Sequence, residues 1–140
     1  MTEQSISGTS HAGRCLCGAV SYTIDGLLRD VVICHCGQCR RFHGHVAAYT
    51  AAPRSQVTID DLHKQLKWYA SSDKARRGFC SRCGSSLFWD EYGTDLLRIA
   101  AGALDQPTGL QTTTHIYIDD RGDYYVLADD LEKRPHGLRD

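Results

Sequence analysis

The chain has 140 residues, a length that fits one domain with a modest core. Apolar residues make up 41%, charged residues 24%, and the net charge is −1. That balance excludes a disordered chain and gives no electrostatic case for nucleic acid or an anionic membrane. No apolar run approaches the roughly 18–20 residues of a membrane span. The start, Met1 to Gly13, lacks the basic stretch and apolar core of a secretory signal. Cytoplasmic residence is therefore expected.

Residues 1–12 are polar and read as a disordered tail, residues 13–130 as the folded domain and residues 131–140 as a C-terminal tail. Gly18 to Ile24 alternates Val20, Tyr22 and Ile24 against small or polar residues, the period of a half-buried strand. Val31 to Cys34 is a short apolar run ending at a cysteine cluster, and Gly37 to Phe42 after it reads as a turn or two of helix. Strands are expected at Val46 to Thr50, Gln56 to Ile59 and Lys67 to Ala70, with a short helical piece near Asp60 to Leu62. Further strands are expected at Ser86 to Asp90, Leu96 to Ala100, Thr113 to Ile118 and Tyr124 to Ala128. Asp25-Gly26, Pro53, Gly93 and Gln106-Pro107 punctuate them, and Asp119 to Asp123 reads as the turn of a terminal hairpin. The fold class is mainly β, in antiparallel sheets with little helix.

Seven cysteines, an odd number, argue against a disulfide framework, and their spacing argues harder. Cys15-Leu16-Cys17 is C-x-C, Cys34 to Cys39 is C-x-C-x-x-C, and Cys80 to Cys83 is C-x-x-C. Thiolates two or three residues apart can grip one tetrahedral ion, and zinc is the default ion for an all-thiolate cytosolic site. Neither common ferredoxin spacing is present. Seven ligands divide most simply as four plus three, hence two zinc ions per chain. Cys15, Cys17, Cys80 and Cys83 would form a closed structural site. Cys34, Cys36 and Cys39, from one short segment, would leave a coordination position open for chemistry. The plainer reading is that all seven serve structure, or that some are buried free thiols.

Arg14, Arg40, Arg41, Arg76, Arg77 and Arg82 all lie within four residues of a cysteine. They suit either an anion-binding rim for an acidic substrate or compensation of thiolate charge. Arg40 and Arg41 directly follow the three-cysteine cluster and are the preferred substrate-binding candidates. His43 and His45 flank Gly44 and can reach the open position, with His43 a candidate proton relay. His35, between two ligands in an extended segment, should point away from the ion. His115, in a strand, reads as packed or hydrogen-bonded. Most of Trp68, Tyr69, Phe79, Phe88 and Trp89 should be core.

Three segments, taken together, resemble the glutathione-dependent formaldehyde-activating enzymes, the Gfa or CENP-V/GFA domain family. They are Gly13 to Tyr22, Cys34 to Gly44 and Ser71 to Leu87, with a weaker match at His115-Ile116-Tyr117. The resemblance implies a β-tent fold like that of the Mss4 group. It implies a structural zinc on Cys15, Cys17, Cys80 and Cys83 and a second, more loosely held zinc on Cys34, Cys36 and Cys39. It further implies a carbon–sulfur lyase activity that makes or breaks S-hydroxymethylglutathione from formaldehyde and glutathione. One departure is Tyr124, where members often carry Trp about nine residues after the matching His.

Two functions follow as expectations. The first is a zinc-dependent carbon–sulfur lyase, in which Cys34, Cys36 and Cys39 hold the catalytic zinc and a small thiol such as glutathione is the substrate. The second is a thiol-binding or interaction module that captures glutathione or a partner cysteine without turnover. A chromatin or cytoskeletal adaptor ranks last, because it would need a basic extension.

Overall fold

The computed structural model describes residues 10–138. Two sheets account for almost all of the regular structure. The smaller has strand order β1-β2-β5, from β1 (Ser10–Arg14), β2 (Ser21–Asp25) and β5 (Val57–Asp60), paired antiparallel. The larger has eight strands in the order β11-β10-β3-β4-β9-β8-β7-β6. Its members are β3 (Val31–Cys34), β4 (Ala47–Pro53), β6 (Leu66–Ala70), β7 (Ala75–Cys80), β8 (Ser86–Glu91), β9 (Leu96–Ala100), β10 (Thr112–Ile116) and β11 (Glu132–Lys133). One helix, α1 (Gly37–His43), follows β3. The mainly β expectation with little helix holds.

The core lies between the sheets. Tyr22 and Ile24 of β2 meet Ala52 of β4, Leu87 and Phe88 of β8, and Leu97 and Ile99 of β9. Burying each large aliphatic or aromatic side chain stabilises the fold by about 1.5–3 kcal/mol. Successive residues of a strand face opposite ways, so β4 and β9 each serve two environments. Ala52 and Ile99 face the core, whereas Tyr49 and Ala100 join a second buried cluster with Cys39 and Trp89 on the far face. Strand β4 is covered on both faces, which explains its alanines: buried Ala47, Ala51 and Ala52 leave room for both layers. At Gly78 a Cβ would stand 2.9 Å from the Trp68 ring and 3.2 Å from Phe88, so glycine there lets those two rings stack.

Several sequence expectations change. Residues 10–12, assigned to the tail, belong to β1; residues 1–9 lie outside the described residues. Polar β1 needs no apolar pattern, because it is an edge strand held by its ladder to β2. Strand β7 was not expected either. Its Arg76, Arg77 and Gly78 hid a strand that is nonetheless interior to the sheet. The helical piece at Asp60 to Leu62 is instead a turn, fixed by Asp61 Oδ1 accepting from the N–H groups of Gln65 and Leu66 at 2.8 and 3.1 Å. The terminal hairpin does not form. Tyr117 turns left-handed after β10, at φ 55°, into a single 3-10 turn at Ile118–Asp120, and Tyr124 and Tyr125 beyond it bond His45 and His35 through their side chains rather than through a ladder. Strand β10 instead pairs parallel with β3 and with β11, so the larger sheet is mixed and residues 132–133 are not a tail.

Candidate metal centres and an adjoining cleft

The four outer cysteines converge at one end of the two sheets. Cys15 and Cys17 sit in the β1–β2 turn; Cys80 ends β7 and Cys83 lies in the β7–β8 turn. Each turn closes at a glycine with φ +82°, Gly18 and Gly84, a conformation other residues adopt at a cost. The Gly84 N–H donates to the Cys80 carbonyl at 2.7 Å, and the Leu16 N–H donates to Ser85 Oγ at 2.9 Å, joining the two turns directly. Cys15 Sγ is 3.7 Å from Cys17 Sγ, which is 3.8 Å from Cys80 Sγ. Sulfurs at the corners of a tetrahedron about 2.3 Å from a zinc ion stand about 3.8 Å apart. All four sulfurs lie within 4.8 Å of one another, so this cluster can hold a metal ion. Burial pushes the Cys80 thiol up to about 11. Cys83 falls to about 5, because the Ser85 hydroxyl and backbone N–H groups outweigh its burial.

The three remaining cysteines also converge within 4.8 Å and can hold a metal ion. Cys34 ends β3, Cys36 caps α1 by accepting from the Cys39 N–H at 3.3 Å, and Cys39 lies buried in the helix. Hydrogen bonds from Cys34 and Cys39 hold Cys36 down to about 2, while the same bonds and burial push Cys34 up. Arg77 of β7 lies against this cluster, with Nη1 and Nη2 donating to Cys39 Sγ at 3.8 and 3.7 Å.

A cleft of about 470 Å³ opens beside these three sulfurs. Arg29, Arg77, Arg98, Trp89, Gln38 and Asp120 are among its walls. Arg29 Nη2 donates to the Tyr49 carbonyl at 3.0 Å, and Arg98 stacks over Trp89 at 5.2 Å while facing Glu91 at 3.6 Å. Burial and the charge of Arg98 lower the Arg29 pKa, as expected where two guanidiniums share one space. Arg40, Arg41 and His43 are not among the cleft's walls. Arg41 is exposed. The charge of Arg40 acts on the Tyr125 phenol. His43 lines a second cleft beside Cys15 and reaches the first only through the Tyr49 hydroxyl, 3.1 Å from its Nε2.

His35 points away from the sulfurs, as expected, into a buried chain. Its Nε2 is 2.8 Å from His115 Nδ1, its Nδ1 is 2.6 Å from the Tyr125 hydroxyl, and His115 Nε2 is 2.9 Å from Asp129 Oδ2. A carboxylate only accepts, so with both rings neutral the carboxylate fixes every donor: His115 Nε2–H to Asp129, His35 Nε2–H to His115, and Tyr125 O–H to His35. Burial and the neighbouring His115 push His35 down to about 4, which keeps its ring neutral. Tyr124 makes the matching bond to His45, 2.7 Å from its Nδ1, and His45 is not among the walls of the cleft beside the three sulfurs. Sequence reasoning missed Arg29 and Arg98. The available signal was Arg98 between Leu97 and Ile99, a charge on the face opposite a buried pair. Of the five large aromatics, only Phe88 is fully buried; Trp68, Phe79 and Trp89 are half-buried and Tyr69 is exposed.

A family profile described as glutathione-dependent formaldehyde-activating enzyme matches residues 10–120. A protein of Schizosaccharomyces pombe named an uncharacterized lyase is 26% identical over 122 residues, spanning 84% of this chain and 85% of its own length. The crystal structure of a Rhodobacter sphaeroides protein aligns with a TM-score of 0.57 at 24% identity. It covers 73% of this chain and 99% of its own, a likeness of fold.

Proposed function

The chain belongs to the glutathione-dependent formaldehyde-activating enzyme family, and from that premise we propose that it is a zinc-dependent carbon–sulfur lyase. Its substrates would be adducts of glutathione, or another thiol, with formaldehyde or a small aldehyde. The observation that carries this reading is the opening of Cys34, Cys36 and Cys39 onto a cleft lined by three guanidiniums. The name of the yeast relative, a lyase, points the same way.

The donor sets favour zinc at both clusters, because soft thiolates at tetrahedral spacing select it. The closed site is structural and the open one catalytic. Zinc on Cys34, Cys36 and Cys39 would supply a free position at which a substrate thiol ionises. Three thiolate donors weaken water activation there and suit a thiol instead. Arg29 and Arg98 hold the substrate carboxylates, a role their position favours over Arg40 and Arg41. Trp89 walls the cleft against water, and the Tyr49 hydroxyl, backed by His43, is placed to pass a proton. In the forward direction the thiol sulfur bonds to the aldehyde carbon and the C=O π bond breaks. The thiol's proton ends on the carbinol oxygen, and the lyase direction reverses each change. A reducing compartment such as the cytoplasm keeps the seven thiols free, and no disulfide joins them. Among the described residues no helix is long and apolar enough to cross a membrane.

Exchange NMR between formaldehyde hydrate and its glutathione adduct tests the reading. The native protein should raise the exchange rate above the uncatalysed rate, and Cys36→Ser should abolish that gain while the melting temperature stays within a few degrees. Uncatalysed rates with the native, metal-loaded protein across a set of thiols would overturn the lyase reading in favour of a thiol-binding module.

A further inference from the structure

Arg77 is the largest fully buried side chain among the described residues, 2% exposed. It lies on β7 with its guanidinium 5.3 Å from the Phe42 ring centroid of α1. Its donors meet Cys39 Sγ and, at 3.5 Å, Gln38 Oε1. Among the described residues it makes no ion pair with a carboxylate. The buried carboxylate near β7, Asp90, is taken by Arg54 and Arg76. A guanidinium keeps its charge at any accessible pH, and a buried charge without a counter-charge is strongly unfavourable. The anion-forming group that Arg77 touches is a thiol of the open cluster.

We propose that Arg77 is a positioning residue for the open metal centre, supplying the buried positive charge that offsets its thiolates. Three thiolates on a divalent ion carry a net charge of −1, which one guanidinium neutralises. The N–H···S contacts also draw electron density from Cys39, the kind of outer-shell bond that tunes a metal's ligands. Among the described residues the four-thiolate cluster has no such buried partner; Arg14 beside it donates to the carbonyls of Cys15 and Leu16 instead. The assignment rests on the reading of Cys34, Cys36 and Cys39 as a metal site, and cobalt(II) titration of the full-length protein separates the two.

The native protein should bind two cobalt ions, the second more weakly, each with its sulfur-to-cobalt charge-transfer absorption. A native stoichiometry of one would end the metal reading of the open cluster itself. Given two, Arg77→Met should weaken the second equivalent about 10–100-fold, the usual cost of losing an outer-shell partner, and leave the first within twofold. The band that grows with the second equivalent should move to longer wavelength, because the sulfur becomes easier to oxidise. Second-site affinity within twofold of native and an unmoved band would overturn the assignment. Should Arg77→Met fail to take up the first equivalent, Arg77→Lys is read instead. It keeps the charge but not the two-pronged contact, so second-site affinity should still fall and the band still move; native values for both would overturn the assignment.

Discussion

The two cysteine clusters differ first in how far the chain travels to build them. Cys17 and Cys80, whose sulfurs stand 3.8 Å apart, are separated by 63 residues. Cys34, Cys36 and Cys39 come from one six-residue segment. An ion in the first cluster would close a long loop and cross-link the smaller sheet to the larger one, and closure of long loops removes the most chain entropy. An ion in the second would close almost nothing. The surroundings follow the same division. The turns that carry the outer cysteines are bonded to each other, whereas the inner three face a cleft and carry a buried guanidinium. Placing equal ligands at unequal sequence distances suits the proposed division, one cluster for stability and the other for chemistry.

The largest effect should come from breaking the cross-link. Cys80 is fully buried at the end of β7, and Cys80→Ser removes one of the four proposed ligands that would tie β7 to the β1–β2 turn. Structural zinc sites contribute about 10 kcal/mol or more, against a usual folding margin of about 5–15 kcal/mol. Circular dichroism of Cys80→Ser should show a largely unfolded chain at 25 °C. A cooperative melt near the native temperature would contradict the division, because the Cys36→Ser change at the other cluster is the one expected to leave folding intact.

The grouping of the cysteines was legible in the sequence because thiol spacing is a local property. The C-x-C and C-x-x-C pairs, with Gly18 and Gly84 following them, announce tight turns and thiols close enough to share an ion without any knowledge of the fold. Strands with alternating apolar residues, such as Leu96 to Ala100, were legible for the same reason. Strand β7 was not, because its polarity is satisfied by partners distant in sequence: Arg76 by Asp90, and Arg77 by Cys39, 38 residues away. The cleft's arginines were hidden likewise, since Arg29 and Arg98 are neighbours only across the folded sheet. The expected terminal strand at Tyr124 to Ala128 failed because Tyr124 and Tyr125 hydrogen-bond His45 and His35 through their side chains. An aromatic pair reads as β-forming whichever way it is used.

A smaller effect should separate the clusters from behind. His115→Ala removes the acceptor of buried His35 Nε2–H, and His35 is the residue between Cys34 and Cys36. An orphaned buried donor costs about 1–3 kcal/mol. Urea unfolding should show a loss of that size. Competition with a chromophoric chelator should show weaker retention of the second metal only, because nothing in the chain touches the outer four cysteines. Equal weakening at both clusters would mean that the chain supports the whole sheet rather than the inner cysteines.

The smallest effect concerns the two adjacent arginines of β7, which face opposite ways. Arg76 stacks over Trp68 at 3.9 Å and pairs with Asp90, while Arg77 serves the thiol cluster. Burial alone would raise the Asp90 pKa, but the bonds from Arg76 and Arg54 overcome it and hold the carboxylate below its ordinary value. A carboxylate with a depressed folded-state pKa contributes stability that is complete above the unfolded value, about 3.9, and is lost as pH falls through the lower folded value. Both arginine side chains are more than a third exposed, at 37% and 39%, so screening limits the contribution to about 1–2 kcal/mol. The stability gap between native protein and Asp90→Asn, measured by urea unfolding, should be constant from pH 7 to about 4 and close below that. Acid loss of metal from the thiolates lowers both proteins alike and cancels in the difference. A gap that already narrows between pH 7 and 5 would mean that Asp90 is coupled to a group titrating near neutrality, and that Arg54 and Arg76 alone do not set its charge.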